Sequence, residues 1–217
     1  MKMKIKIGLP KGRLLSDAIY ALKKAGFDFS DALKESRKLV FKDKNGLSEA
    51  IVIRAVDLLT YVEYGAVDLG IIGYDLVLEQ RRDIITVMAF NFGRCHLSIA
   101  EPVKSNVMKL AAAGYQASLS GIRVGTKYPY LAYKYFNEKG YQADIIKLYG
   151  AIELAPLYGL SDIIVDLVST GETLKANGLV EREHIIQSSA RLVANKASLR
   201  LNETVIQNVI EKLKKVS

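Results

Sequence analysis

Hydrophobic residues along the chain follow two alternating periods, one typical of β-strands and the other of α-helices. Residues 4–9 (KIKIGL) alternate polar and apolar positions, as a half-buried strand does. Apolar residues in 14–25 recur every three or four positions, and Gly26 is expected to end that helix. Because strands and helices alternate in this way, we predict an α/β fold with mainly parallel or mixed sheets and helices on both faces.

The pattern continues to the end of the chain. It predicts strands at residues 4–9, 49–56, 68–73, 84–92, 95–102, 122–126, 143–150 and 162–167, with a strand pair at 184–196. It predicts helices at residues 14–25, 57–65, 74–80, 107–114, 128–140 and 151–159, and a last helix that turns Ile206, Val209, Ile210 and Leu213 inward.

A weak internal similarity bears on the number of lobes. Residues 57–71 and 152–165 both contain an acid followed by leucine, then Tyr-Gly, an aspartate and an apolar run. One interpretation is that any short helix-turn-strand unit has this pattern. The other is two similarly built lobes, which we place at residues 1–92 plus 182–217 and at residues 93–181. A cleft between two such lobes is a favoured ligand site.

Composition and charge narrow the classes of partner. The 217-residue chain has 31 Lys and Arg against 23 Asp and Glu, a net charge of +8. The basic residues are scattered, which favours small polyanions over nucleic acid. The chain has one cysteine, Cys95, and no apolar run near the roughly 20 residues that span a bilayer. We therefore expect a soluble cytoplasmic protein that binds neither nucleic acid nor membrane.

The stretch DLVSTGETL, residues 166–174, ends a predicted strand and begins a predicted helix. Ser169, Thr170 and Thr173 offer hydroxyl groups, and Gly171 lets the backbone approach a ligand closely. Backbone N–H groups at such a strand-to-helix turn can hold a phosphate. The alternative is an ordinary helix cap. The nearby acids Asp166 and Glu172 suit a sugar phosphate better than a bare phosphate.

A second candidate lies where the first predicted strand ends. Lys11 and Arg13 flank Gly12 immediately before a helix. Ligands of open α/β sheets bind at the carboxyl ends of strands, and cations there oppose the helix dipole unless an anion is bound. The alternative is two solvated surface cations.

Three arginines are further candidates. Arg54 ends an apolar strand, Arg37 lies in ESRKL, and Arg94 lies beside Cys95 in NFGRCHLSIA. A guanidinium fork suits pyrophosphate. The alternative for Arg54 is an ion pair with Asp57.

The sequence offers few residues for acid–base, covalent or zinc-dependent catalysis. His96 and His184 are distant in sequence, and with Cys95 they offer no metal-ligand spacing or catalytic triad. The aromatic residues of 128–136 are interpreted as a core face plus a protein interface rather than as a base-stacking surface.

Ten positions between 153 and 174 match one specific motif. They are Glu153, Gly159, Ser161, Ile164, Asp166, Leu167, Thr170, Gly171, Thr173 and Leu174. With LPKGRL, SRKL, VIRAVDLL, FGRCHLSIA and IELAP in the same order, they resemble the catalytic subunit of ATP phosphoribosyltransferase, the first enzyme of histidine biosynthesis. The resemblance covers nearly the whole chain. One departure is Tyr74, where the family usually has lysine.

The resemblance implies a fold, a reaction and partners. The fold would be two-lobed and periplasmic-binding-protein-like (type II), with mixed sheets flanked by helices and a cleft between the lobes. The reaction would transfer phosphoribosyl from phosphoribosyl pyrophosphate (PRPP) to N1 of ATP, with Mg²⁺ on the substrate phosphates. The length resembles the short form, which implies a homodimer or larger assembly with a regulatory subunit resembling histidyl-tRNA synthetase.

The resemblance also implies roles for the candidate residues, with 93–181 as the phosphoribosyl-binding lobe. The catalytic residues would be Arg54, Arg37 and Arg13. PRPP would contact Glu153, Asp166, Ser169, Thr170, Gly171, Glu172 and Thr173, and ATP or pyrophosphate would contact Lys11, Gly12, Arg13 and Arg94. The rival interpretation is a two-lobed module that binds small anions without chemistry.

Overall fold

A computed structural model describes residues 5–34, 37–46, 48–108 and 121–216. The predicted helix at 107–114 lies outside the described residues from position 109 onward. The chain forms two compact units, one of residues Met1–Arg94 and Ser189–Ser217 and the other of residues Cys95–Ser188. None of the described helices is both long enough and apolar enough to cross a membrane.

Strands and helices alternate along most of the chain. The strands are β1 (Ile5–Lys11), β2 (Val40–Lys42), β3 (Ser48–Arg54), β4 (Leu69–Gly73), β5 (Ile85–Ala89), β6 (Cys95–Pro102), β7 (Ile122–Thr126), β8 (Ala143–Lys147), β9 (Ile163–Val168), β10 (Leu179–Ser188) and β11 (Ala190–Ala194). The helices are α1 (Leu14–Lys24), α2 (Ala55–Glu63), α3 (Tyr74–Gln80), α4 (Pro129–Glu138), α5 (Leu154–Leu157), α6 (Glu172–Ala176), α7 (Lys196–Leu201) and α8 (Glu203–Lys214), with a short 3₁₀ helix at Ser30–Leu33.

The first unit is built on a six-stranded mixed sheet in the order β2-β3-β1-β4-β11-β5. β1 pairs in parallel with β3 and β4, whereas β2 and β11 run antiparallel to their neighbours. The carboxyl ends of β1, β3 and β4 therefore meet at one edge, which we call the cationic edge because Lys11 and Arg54 end two of these strands. The predicted mixed α/β sheet is confirmed.

Apolar side chains cover both faces of this sheet. Ile7 and Leu9 of β1 pack on one face with α8, whose four inward residues are all buried as predicted, namely Ile206, Val209, Ile210 and Leu213. On the other face α2 packs so closely that a Cβ on Gly70 would lie 2.6 Å from a methyl carbon of Leu58. Glycine at position 70 therefore allows this close helix–sheet packing.

The second unit contains a five-stranded mixed sheet in the order β10-β6-β9-β7-β8. β7 pairs in parallel with β8 and β9, and β6 lies antiparallel between β9 and β10. Tyr128, Tyr135 and Phe136 at and within α4 are buried, whereas Tyr133 is exposed. The aromatic residues therefore supply a core face, and Tyr133 lies on the surface.

An ion pair with a buried carboxylate joins the edge strand β10 to its neighbour β6. Glu101 on β6 is completely buried, and the Nε of Arg182 on β10 donates to its Oε1 at 2.6 Å. Its other carboxylate oxygen accepts from the Ser105 hydroxyl at 2.9 Å and from the Met108 backbone N–H at 3.1 Å. The charge is therefore fully hydrogen-bonded, as a buried carboxylate must be.

The predicted pairing of the strands within 184–196 is wrong. β10 pairs with β6 in the second sheet, whereas β11 pairs with β4 and β5 in the first. Two successive apolar segments indicate two buried strands. Nothing in their local sequence indicates that the chain leaves the second unit after Ser188 and enters the first. The expected lobe boundary at 182 falls inside β10, and the assignment of phosphoribosyl binding to the second unit stays a prediction.

Candidate active site

The motif DLVSTGETL forms the end of β9, a tight turn and the start of α6. Gly171 has φ 76° and ψ 0°, a left-handed conformation that suits glycine. Ser169, Thr170 and Thr173 are exposed. The hydroxyl of Thr170 accepts a long hydrogen bond of 3.4 Å from the Glu172 N–H.

The turn has unused hydrogen-bond donors. Within the described part of the chain, the backbone N–H groups of Thr170, Gly171 and Thr173 donate to no protein acceptor, and neither do the hydroxyls of Ser169 and Thr173. The turn is therefore not filled by its own side chains, as a tightly capped helix start would be. Because α6 has only five residues, its dipole adds little, and the binding capacity lies in the N–H and hydroxyl groups themselves.

Carboxylates lie close to this turn. Asp166 is half-buried on β9, and one of its oxygens accepts from the Leu167 N–H at 2.9 Å. Glu172 is exposed at the first position of α6. Glu153 is half-buried directly before α5, which packs against β6 and β9. Asp166 and Glu172 thus flank the turn, and Glu153 lies at the start of a helix that packs against β9.

Two further residues of the motif have structural roles. Gly159 ends the α5 segment with φ 71°, a conformation that favours glycine. Ser161 is buried so close to Gly125 of β7 that a Cβ there would lie 3.1 Å from the serine oxygen. Glycine at 125 therefore leaves room for Ser161 and for Ala155 of α5 against the sheet.

The Arg123–Asp162 pair fixes the start of β9. The guanidinium of Arg123 donates to Asp162 at 2.7 Å and to the Gly159 carbonyl at 2.7 Å. Hydrogen bonding with Arg123 lowers the pKa of Asp162, and the same bond raises the pKa of Arg123. These contacts stabilise the segment between α5 and β9.

The cationic edge of the first unit brings together candidates from distant parts of the sequence. Lys11 and Arg54 are paired in the parallel register of β1 and β3, and both side chains are exposed. Gly12 has φ 113° and allows the chain to turn into α1, with exposed Arg13 at its N-cap. Arg37 precedes β2, whose antiparallel register with β3 carries the chain back toward Arg54.

These cations are not neutralised locally. Among the described residues, Lys11, Arg13, Arg37 and Arg54 form no salt bridge, so Asp57 is not the ion-pair partner of Arg54. Like charges on neighbouring strands repel one another, and a bound polyanion would relieve that repulsion. Arg94 lies directly before β6 in the chain, and its guanidinium is 3.3 Å from the Asn91 side-chain oxygen.

Arg191 is a cation at this edge that sequence reasoning missed. Its Cα is paired with Ile72 of β4, one residue before that strand ends. Its guanidinium lies 4.4 Å from the centroid of the Tyr74 ring and donates to the Ser189 hydroxyl. The tyrosine that stands where the family usually has lysine therefore holds an arginine in a cation–π contact. Only the Tyr74 departure itself could have drawn attention to this place.

The two histidines, which the sequence separates widely, come together in the second unit. His96 on β6 and His184 on β10 have ring centroids 4.2 Å apart, and both contact Glu181. Burial alone would raise the pKa of Glu181, but hydrogen bonds from Ser98 and His96 and the nearby imidazoles lower it overall. Their separation in sequence gave no sign of this contact, because the pairing of β6 with β10 joins them.

The two mixed sheets with their flanking helices define an α/β protein of the two-unit, periplasmic-binding-protein-like class. The periplasmic aliphatic sulphonate binding protein SsuA from Escherichia coli is similar in fold alone, with a TM-score of 0.60 and 17% identity over 100% of this chain and 73% of that one. The ATP phosphoribosyltransferase family model, HisG, matches residues 54–215.

Relatives are similar over nearly the full length. An ATP phosphoribosyltransferase from Citrifermentans bemidjiense is 46% identical over 209 residues, 96% of either chain. The ATP phosphoribosyl transferase (HisG:HisZ) complex from Thermotoga maritima contains a chain with a TM-score of 0.81 and 30% identity over 98% of both chains. The chain therefore belongs to the ATP phosphoribosyltransferase family, whose members are transferases of histidine biosynthesis that use a divalent metal ion.

Proposed function

We propose that the 169–173 turn binds the 5′-phosphate of PRPP while the cationic edge binds the ATP triphosphate and the departing pyrophosphate. The observation that carries this proposal is the open turn, in which the N–H groups of Thr170, Gly171 and Thr173 and the hydroxyls of Ser169 and Thr173 donate to no acceptor among the described residues. A phosphate oxygen is the acceptor that such a set of donors suits.

The reaction forms a bond between N1 of adenine and C1 of the ribose and breaks the bond from C1 to pyrophosphate. N1 carries a lone pair and no proton, so no strong base is needed to make it a nucleophile. The difficulty is charge separation, because C1 becomes cationic as the pyrophosphate leaves with the electron pair. Positioning and fixed charges each supply several kcal/mol in such steps.

The cations of the first unit suit the leaving group. Guanidiniums bind phosphate oxygens with two parallel hydrogen bonds, and Arg54, Arg37 and Arg13 are therefore assigned to the charge that develops on pyrophosphate. Lys11 and Arg94, with the Gly12 backbone, are assigned to the remaining phosphates. The support is their exposure and their lack of salt bridges among the described residues.

The carboxylates suit the sugar and the metal. Asp166, with Glu153, is assigned to the ribose hydroxyls, and Glu172 lies next to the phosphate. The divalent ion is assigned as Mg²⁺, which prefers oxygen ligands and is held mainly by substrate phosphates. Bound there, the ion would offset charge on the pyrophosphate, and the carboxylate oxygens of Asp166 would suit it as ligands.

A partner and a compartment are part of the same proposal. The Thermotoga maritima relative was solved in a HisG:HisZ complex, and we assign to this chain a regulatory partner of the same kind together with self-association. We assign the chain to the cytoplasm, whose reducing conditions suit the single buried Cys95.

The substitution Arg54→Ala tests the assignment, with Arg200→Ala as the matched control because Arg200 is an exposed arginine on α7. Turnover is followed by the absorbance change that accompanies substitution at adenine N1, with and without the regulatory partner. We expect Arg54→Ala to lower kcat by roughly 100-fold or more, as loss of a transition-state contact does. Arg200→Ala should retain activity.

Two results would contradict the assignment. Near-normal turnover by Arg54→Ala would remove Arg54 from the site. PRPP binding without any product, in the presence of the regulatory partner, would instead favour a binding module over an enzyme.

A further inference from the structure

We propose that His96, Glu181 and His184 form a binding site for one divalent transition-metal ion of the zinc type, separate from the Mg²⁺ of the reaction. The chain has only two histidines, and the fold brings both to one glutamate. None of the three residues is among those assigned to PRPP, ATP or pyrophosphate.

The donor atoms are already close together. The Nε2 atoms of His96 and His184 lie 2.6 Å and 3.0 Å from Oε1 of Glu181, and one ligand atom from each of the three residues lies within 4.8 Å of the other two. A tetrahedral zinc ion with bonds of about 2.0–2.1 Å needs donor atoms roughly 3.3 Å apart. Small rotations of the side chains therefore suffice to admit an ion.

An irregularity in strand pairing places the ligands on one side of the sheet. Residues three apart on a regular strand point to opposite faces. The register between β10 and β6 shifts after Glu181, so that Glu181 lies opposite Ala100 and His184 lies opposite Ser98. Ala100, Ser98 and His96 alternate along β6 and share a face, and the shift brings Glu181 and His184 to that face.

The surroundings resemble those of metal ligands in other proteins. The Ser98 hydroxyl donates to Oε1 of Glu181 at 2.6 Å, which orients the carboxylate as a supporting hydrogen bond does around many metal sites. The side chains of His96 and Glu181 are 18% and 27% exposed, and that of His184 is 56% exposed. An ion can therefore enter from the His184 side, where water can complete its coordination.

The ligand set selects the class of ion. Two imidazole nitrogens and one carboxylate oxygen suit Zn²⁺, Co²⁺ and Ni²⁺, whereas Mg²⁺ prefers oxygen ligands alone. The ion would link β6 to β10. It would also lie near β9, the strand that leads into the 169–173 turn, because His96 is paired with Val168, the last residue of β9. Its role would be to hold the strands that support the 169–173 turn.

The test uses the full chain without a histidine tag, freed of metal with a chelator and titrated with Co²⁺. We expect visible absorption bands that saturate at one ion per chain and a rise in melting temperature on adding Zn²⁺. His184→Ala and Glu181→Gln should each weaken Co²⁺ binding by at least tenfold. Gln187→Ala is the matched control, because Gln187 is an exposed β10 residue opposite His96.

Several outcomes would overturn the proposal. One is Co²⁺ binding that never saturates at one equivalent. Another is equal affinity in His184→Ala, Glu181→Gln and the unaltered chain. A third is competition by Mg²⁺ at equal concentration, since that would mark an oxygen site. These binding measurements need no turnover, so they are independent of the assignments in the active site.

Discussion

The substitution Gly171→Ala distinguishes a phosphate-binding turn from an ordinary helix start. Gly171 has φ 76°, and a left-handed residue other than glycine costs roughly 1–2 kcal/mol. An added Cβ would meet only Val168, with its nearest methyl carbon at 3.9 Å, an ordinary van der Waals distance. The loss in free energy of unfolding should therefore be about 1–2 kcal/mol, with no further contribution from a clash.

The expected effect on substrate binding is larger and separate. The added methyl group would keep a phosphate from the turn, which removes a charge-assisted hydrogen bond worth about 1.5–3 kcal/mol. At about 1.4 kcal/mol per tenfold, PRPP affinity should fall roughly 10- to 100-fold. Calorimetric titration with PRPP measures the affinity, and urea unfolding measures the stability.

A matched control lies at the other end of the same short helix. Gly178 follows α6 with φ 68°, and a Cβ there meets nothing within 4 Å. Gly178→Ala should therefore lose the same free energy of unfolding while keeping PRPP affinity. If both variants bind PRPP equally well, the turn does not hold the phosphate and the reasoning fails.

Two further predictions concern stability. Arg182→Ala leaves the fully buried Glu101 carboxylate without its counter-charge and should cost about 3–5 kcal/mol in urea unfolding; a loss below about 1 kcal/mol would contradict the buried-charge argument. Asp28 is expected to stabilise the fold above the unfolded-state pKa, because hydrogen bonds from the Ser30 hydroxyl and N–H lower its folded-state pKa from 3.8 to about 2. The difference in free energy of unfolding between the unaltered chain and Asp28→Asn should be largest near neutral pH and should disappear as the pH falls through about 2. A difference that stays constant over that pH range would contradict the prediction.

Periodicity in the sequence predicted most of the elements. The bounds of α3, β6 and β7 match the prediction residue for residue, and those of β1, β4, α2 and α4 shift by one or two residues at an end. Apolar spacing succeeds there because a strand or helix that packs against a core must repeat its apolar residues with its own period. The three-residue β2 was not predicted, since so short an edge strand has no period to detect.

The sequence predicted the segments that make up the candidate site, but not how they lie beside one another. The strand-to-helix turn at 169–173 and the strand ends at Lys11 and Arg54 could be found from local sequence. The pairing of Lys11 beside Arg54 was not visible, because it depends on β1 lying next to β3 in register. The contact of Arg191 with Tyr74 was missed for the same reason.

The sequence by itself determined where the chain is extended, where it is helical and which family it resembles, because those properties reside in neighbouring residues. Tertiary structure decided that β10 and β11 lie in different sheets and that His96 meets His184 across a shifted register. Strand partners are chosen by packing between residues far apart in the chain, and a shift of one residue moves a side chain to the other face of a sheet. No local pattern of apolar and polar residues records that choice.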